Sequence, residues 1–272
     1  MSFFAPATPS TAPEPSPARD SLRRLSGLVR ANARLVVRNR LTLSYAVVLP
    51  VLPLLLVLAG ERGEVGPGAA AVITVVMLAL LFPVFYNTLS MIVTRRDELV
   101  LKRMRTGEVR DAELLVSLAA PGAIIAMLIA VVTVPAAMAL GVPAPRAPVL
   151  FLLTVLLASV TLATLAFWTA AWTRNAEAAQ LTSMPVMGLL VLGQLAVGFP
   201  DEVKRWIAFT PGGAVTDLVR GSWFGLGPDD DVPTMGGLDA WAGAAVPLLV
   251  LLAWTVLGGW LAARSMRWEP RS

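Results

Sequence analysis

The chain reads VGPGAAAVITVVMLALLFPVFYNTLSMIVT from Val65 to Thr94, thirty residues without one Asp, Glu, Lys or Arg. At a rise of about 1.5 Å per residue, roughly 20 apolar residues cross the hydrocarbon core of a bilayer as a helix. A buried helix of a soluble protein normally keeps a polar face, and this run has none. Residues 65–94 are therefore predicted to span a membrane.

Five further runs share this absence of charge, and each reaches the same length class. They are Leu41–Gly60, Leu114–Pro145, Ala147–Thr173, Ala178–Pro200 and Ala240–Ala263. Composition agrees, because only 15% of the 272 residues are charged, against roughly 25% in soluble domains. We therefore predict an all-α integral membrane protein with six transmembrane helices over residues 41–263.

The residues before these runs divide into two parts. Residues 1–19 are rich in Pro, Ser and Ala and are predicted to form a disordered tail. Residues 20–40 have a helical, two-sided pattern. One side carries Arg23, Arg30, Arg34 and Arg38, and the other Leu22, Leu25, Val29 and Val36. This predicts an amphipathic helix in the inner membrane interface, attracted by anionic lipids; a solvated helix without a partner is the alternative.

The positions of the basic residues predict the orientation. With six spans, 17 of the 22 Lys and Arg residues fall on one side of the membrane and 5 on the other. The positive-inside rule then places both termini, including the tail 264–272, and the segment 95–113 in the cytoplasm. The long loop 201–239, in which we expect one or two short helices, falls outside and is here named the outer segment. Abundant Ala, Leu, Val, Gly, Pro and Arg beside two lysines suggest a high-GC bacterium, so we expect the bacterial plasma membrane.

Several classes of chemistry are excluded by residue content. The chain has no Cys and no His, which removes thiolate or imidazole metal sites and Ser-His-Asp triads. Its only lysines, Lys102 and Lys204, do not follow the glycine-rich pattern of a phosphate-binding loop. We therefore expect no cofactor on this chain, and ATP with Mg²⁺ only on a partner. The six runs also lack the ionisable group typical of ion-coupled transporters.

The segment between the second and third runs, RRDELVLKRMRTGEVRDAE at residues 95–113, carries six of the 22 basic residues. It can continue the preceding helix to Arg105, break at Thr106-Gly107 and start a second short helix. Leu99, Leu101 and Met104 lie between charges, which suits the groove of a soluble partner. The alternative is a basic cluster that only fixes topology, and the residues by themselves leave both open.

A few polar residues interrupt the apolar runs. We consider five of them as a possible substrate path: Asn87, Thr88, Gln180, Ser183 and Gln194. Hydrogen bonding between neighbouring helices is the competing explanation. Weakly polar spans are compatible with many substrates, so the sequence does not identify what passes.

The stretch RRDELVLKRMRTGEVRDAELLVSLAAP resembles the RRE-x-G-x-L-K-R-L-R-T-x-P segment that follows the second span of ABC-2 type exporter permeases. The matching residues are Arg95, Arg96, Asp97, Leu101, Lys102, Arg103, Met104, Arg105 and Thr106. TPGGAVTDLVRG is similar to the P-x-x-x-x-x-D-x-x-R pattern of the same family, at Pro211, Asp217 and Arg220. The chain departs from the family at Asp97, where Glu is usual, at Leu99 or Val100, where Gly is common, and at Glu108-Val109, where a small residue and Pro are usual.

The resemblance covers most of the chain and implies an ABC-2 type exporter fold, with an N-terminal interfacial helix and six spans. It implies a permease subunit that pairs as a homodimer or heterodimer, contacts membrane lipids and couples to separate ABC ATPase subunits, with no nucleic acid as partner. The coupling residues would be Arg95, Arg96, Asp97, Glu98, Leu101, Lys102, Arg103, Met104 and Arg105. The alternatives are a sensor or accessory membrane protein and a membrane-embedded lipid-modifying enzyme.

Overall fold

The computed structural model describes residues 17–38, 48–59, 64–98, 111–196, 199–227 and 232–265. Every regular element in these ranges is a helix, so the all-helical prediction is confirmed for them. In chain order the helices are α1 Pro17–Arg38, α2 Val48–Leu58, α3 Val65–Asp97, α4 Asp111–Ala139, α5 Pro148–Trp172, α6 Ala178–Leu195, α7 Asp201–Ile207, α8 Pro211–Val219, α9 Gly237–Gly243 and α10 Ala245–Ser265.

Five of these helices, α3, α4, α5, α6 and α10, are long and apolar enough to cross a membrane. Each lies over one of the predicted charge-free runs. The remaining run, Leu41–Gly60, contains the shorter apolar helix α2, and the winding is of the tighter 3-10 type from Leu52 to Ala59. Residues 41–47 and Gly60 lie outside the described ranges, so five candidate spans are established within them.

Helix α1 covers the region predicted to be amphipathic. It begins at Pro17, three residues before the predicted start at Asp20. Proline suits the first turn of a helix because its missing N–H would have no partner there. The predicted tails 1–19 and 264–272 otherwise lie outside the described residues, except for Arg264 and Ser265 at the end of α10.

Helix α3 lies at the centre of the bundle. In its most apolar stretch 78% of the residues are buried, against 22% in α10. Helices α4, α5, α6 and α8 all pack against α3. The outer helices instead expose apolar side chains, such as Leu128 of α4 and Val256 of α10, and a hydrocarbon environment suits these faces.

A proline changes the winding in the middle of α3. Leu80–Tyr86 forms a π-helical turn that contains Pro83, and the N–H of Asn87 reaches back to the carbonyl of Phe82. A proline inside a helix lacks its N–H and crowds the preceding turn, and the wider winding accommodates both. Gly122 of α4 packs directly on this turn, where an added Cβ would overlap the Pro83 carbonyl oxygen. The missing side chain therefore permits the close approach of α3 and α4.

Helices α5 and α10 form the most extensive pair in the bundle. The hydroxyls of Thr161 and Thr255 are 2.8 Å apart, and Thr161 also reaches the Leu251 carbonyl. A Cβ at Gly258 would lie 2.6 Å from the Thr164 hydroxyl. Small and hydroxyl-bearing residues allow such backbone approach between membrane helices, so this pair resists separation.

The long segment between α6 and α10 returns into the bundle. Helix α8 is buried along nearly its whole length and packs on α6, α5 and α10. At its start, Gly212 contacts the α6 backbone at Leu190 so closely that a Cβ would overlap it. The Thr210 hydroxyl caps α8 by accepting from the Gly213 N–H at 3.0 Å, as expected of an N-cap threonine.

Candidate functional site

The predicted coupling residues begin at the last turn of α3. Four of them, the stretch 95–98, belong to the described part of the chain. The other five lie outside it: Leu101, Lys102, Arg103, Met104 and Arg105. The structure therefore describes the first residues of the candidate coupling segment, 95–98, which we call its root. It also describes the last three residues of the segment, which form the start of α4 at Asp111.

Arg96 points into the bundle and is 1% exposed. Its guanidinium donates to the carbonyl oxygens of Ala170 at 2.9 Å, Thr173 at 2.5 Å and Arg174 at 3.0 Å. Ala170 lies in the last turn of α5, and Thr173 and Arg174 directly follow its end. Carbonyls at a helix C-terminus lack intrahelical partners and carry partial negative charge. Arg96 therefore caps α5 from a neighbouring helix, and hydrogen bonds from a charged donor contribute about 1.5–3 kcal/mol each.

Arg95 reaches a different neighbour. One of its guanidinium nitrogens donates to the Asn32 side-chain oxygen at 2.6 Å. The Asn32 amide donates in turn to the Ser117 carbonyl at 2.8 Å and its hydroxyl at 3.3 Å. Asn32 belongs to α1 and Ser117 to α4, so this buried node joins α1, α3 and α4.

A second hydrogen bond holds α1 against α4. The Ser21 hydroxyl donates to the Glu113 carboxylate at 2.6 Å. On the other side of α1 the arginines are exposed: Arg23, Arg30, Arg34 and Arg38. The helix thus turns polar contacts toward the bundle and a row of cations away from it.

The two acidic residues after Arg96 face outward. The Asp97 side chain is 36% exposed and lies 3.9 Å from the Arg96 guanidinium. Glu98 is exposed as well, and its N–H bonds to the Thr94 carbonyl at 3.0 Å at the end of α3. The root of the segment therefore directs its two cations inward and its two anions outward.

The five predicted path residues are divided between α3 and α6. Thr88 is fully buried, and its hydroxyl has no hydrogen-bond partner among the described residues. Asn87 lies 3.7 Å from the sulfur of Met91 on its own helix. Ser183 bonds the Gln180 carbonyl within α6 at 2.7 Å. The contacts of Asn87 and Ser183 thus each stay within one helix, and neither joins α3 to α6.

The fifth path residue, Gln194, donates from its side-chain amide to the Thr74 hydroxyl of α3. This polar contact joins the C-terminal end of α6 to the first half of α3. Sequence reasoning did not select Thr74. Through Thr74, Gln194 makes a contact that pairs two helices.

The outer segment carries the second motif. Arg220 donates to the Gly227 carbonyl at 3.3 Å, and Trp223 donates its indole N–H to the Pro143 carbonyl at 2.9 Å. Arg146 donates to the Met235 carbonyl at 2.5 Å. The short connection between α4 and α5 therefore fastens the outer segment to the bundle.

Asn32 and Ser117 were missed by sequence reasoning, although Asn32 left a signal. It occurs seven residues after Leu25 and three after Val29, within the apolar stripe of α1. A polar side chain in such a stripe indicates a buried hydrogen-bond partner.

Within the described ranges, no cluster of three or more His, Cys, Asp or Glu residues is placed so that it could hold a metal ion.

Comparison with known protein families assigns the chain to one of them. A model of the family described as ABC-2 family transporter protein matches residues 62–264. The match contains all five candidate spans almost entirely, the root of the coupling segment and the outer segment. No curated protein matches the chain. With five apolar helices of membrane-spanning length and a family match over well over half its length, the chain is a multi-pass membrane protein that belongs to the ABC-2 transporter family.

Proposed function

We propose that this chain is the permease subunit of an ATP-driven exporter in the bacterial plasma membrane. The family assignment supports a transport permease. The sequence contains no phosphate-binding loop, so a separate ABC ATPase would bind ATP and Mg²⁺. In this proposal Leu41–Gly60 supplies a sixth span, both termini and residues 95–113 are cytoplasmic, and two permease subunits pair as a homodimer or heterodimer.

The observation that carries the coupling role is the anchoring of Arg95 and Arg96. These neighbouring residues lie where α3 leads into the segment 95–113. Arg95 bonds the α1–α4 node and Arg96 bonds the end of α5. A force applied to the segment would therefore act on several helices together, which is what a change between two packings of the spans requires.

The ATPase itself would contact the outward-facing part of the segment. Asp97 and Glu98 are available to pair with basic groups, and Leu101 and Met104 supply apolar anchors between the basic residues Lys102, Arg103 and Arg105. Apolar side chains that fill a partner's groove carry most of the binding energy in such contacts.

The substrate path would run beside α3, the most buried helix. Thr88 and Asn87 supply weak polarity there, while Gln194 and Ser183 of α6 border the same helix pair. Exposed apolar faces on α4 and α10 would contact lipid or the second permease subunit. Weakly polar spans suit a hydrophobic or amphiphilic substrate.

Co-purification with the candidate ATPase tests this function. Leu101→Asp with Met104→Asp places charge on the proposed contact, and we expect loss of the complex and of permease-dependent ATP hydrolysis. Leu238→Asp is the matched control, because Leu238 is 87% exposed in the outer segment. An unchanged complex in the double variant would refute the coupling role. A reporter fused after Arg105 tests the orientation separately, and an outside signal would overturn it.

A further inference from the structure

We propose that Arg96 is a positioning residue that locks the cytoplasmic end of α3 to the end of α5, so that both helices move together in the transport cycle. This inference rests on the proposed function, because the movement is driven by the ATPase. It assigns to Arg96 a role inside the bundle that is distinct from contacting a partner.

The chemistry of the contact favours arginine. A guanidinium presents five N–H donors in a rigid plane, and two of its nitrogens here reach three carbonyl oxygens spread over Ala170, Thr173 and Arg174. A lysine ammonium is a compact charge that does not reproduce this fork. The contact is therefore specific in direction as well as in charge.

The position of the contact makes separation of the two helices costly. Arg96 is 1% exposed, and withdrawal from α5 would leave a buried cation and several helix-terminal carbonyls without these partners. Buried polar groups left without partners are strongly disfavoured. Movement of the α3 end therefore carries the α5 end with it.

Helix α5 would transmit this movement to α10. It packs tightly on α10 through Thr161, Thr164, Thr255 and Gly258. Arg96 thus joins the end of α3 to the tightly packed pair of α5 and α10. Arg95 links the same end of α3 to α1 and α4 through a separate node.

A spin-label distance measurement tests the lock. The chain contains no cysteine. Thr94→Cys with Ala176→Cys therefore gives one labelled pair in each subunit, between the last turn of α3 and the turn that follows α5, and both positions are exposed. In the complex with the ATPase we expect the same label distance without nucleotide and after vanadate trapping with ATP. A shift of several ångströms in the otherwise unaltered protein would overturn the proposal, whatever the Arg96 variants do.

Substitution of Arg96 gives the complementary test. In Arg96→Gln we expect the ATPase complex to persist, the label distribution to broaden in at least one nucleotide state and permease-dependent ATP hydrolysis to fall at least fivefold. Arg96→Lys is expected to show nearly the same loss of ATP hydrolysis as Arg96→Gln, because an ammonium does not reproduce the hydrogen bonds of the guanidinium. Arg174→Gln is the matched control, since it removes an exposed cation at the same helix end and leaves the backbone acceptors in place.

The outcomes separate the two proposals. Wild-type levels of hydrolysis and an unchanged label distribution in a folded Arg96→Gln complex would refute the lock and leave the proposed function standing. Failure of the unaltered chain to bind any ABC ATPase would instead refute the proposed function.

Discussion

Arg95 at the end of α3 donates a hydrogen bond to the side-chain oxygen of Asn32 in α1, with 2.6 Å between the two atoms. Asn32 is only 2% exposed, and its side-chain amide donates a hydrogen bond to the Ser117 carbonyl of α4. The N-terminal helix is therefore attached to the bundle by specific polar contacts, and it meets the coupling segment at the point where α3 ends.

Replacement of Asn32 tests this attachment. Asn32→Leu removes the hydrogen bonds to Arg95 and Ser117 and leaves Arg95 beside an apolar side chain, so we expect a loss of about 1–3 kcal/mol in unfolding free energy. Tryptophan fluorescence during denaturant titration in detergent micelles measures it. Arg30→Ala, on the exposed side of α1, is the control and should change stability little. Equal stability of the two variants would contradict the buried node.

The approach of α3 and α4 predicts a contrast between two glycines. Gly122→Ala would place a methyl group into the Pro83 carbonyl, whereas a methyl group at Gly188 of α6 meets nothing within 4 Å. We expect Gly122→Ala to destabilise by about 1–3 kcal/mol and Gly188→Ala to be neutral or stabilising by up to about 1 kcal/mol. Thermal unfolding of the two purified variants measures the difference, and a neutral Gly122→Ala would show that the contact is loose.

The five long helices could be predicted from the sequence, while the polar contacts between them could not. Inside a bilayer, the backbone of a charge-free run can make its hydrogen bonds only within the run itself. Composition alone therefore predicts the helical state of elements such as α3 and α5. The resemblance to ABC-2 permeases implied that Arg96 is a coupling residue, and the alternative was a basic cluster that extends toward water. Its burial depends on the open carbonyls of α5, 74 residues or more away along the chain, and no local pattern encodes that distance.

The Gln194–Thr74 contact makes a double-mutant prediction. Gln194→Met and Thr74→Val should each reduce stability, and the double variant should lose less than the sum, with a coupling of roughly 0.6 kcal/mol, as is typical between membrane helices. Unfolding titrations of the four proteins measure it. Strict additivity would argue that Gln194 faces the substrate path instead of Thr74.

The exposed arginines of α1 predict a preference for anionic lipid. Phosphatidylglycerol should raise the thermal unfolding temperature of the chain more than phosphatidylcholine does. Arg30→Gln with Arg34→Gln should reduce that gain, because each arginine contributes about 1 kcal/mol of attraction to an anionic membrane surface. Salt should weaken the effect. Lys204→Gln with Arg205→Gln in the outer segment is the control. An identical gain in both double variants would argue against a lipid contact at α1.

Site-specific cross-linking between this chain and its ABC ATPase tests the central claim most directly. Because the chain has no cysteine, Met104→Cys provides a single attachment point for a thiol-directed cross-linker in the coupling segment, and Leu238→Cys an equally unique one in the outer segment. We predict a permease–ATPase product from position 104 and none from position 238. No product from position 104 in a complex that hydrolyses ATP, or equal yields from both positions, would contradict coupling through residues 95–113.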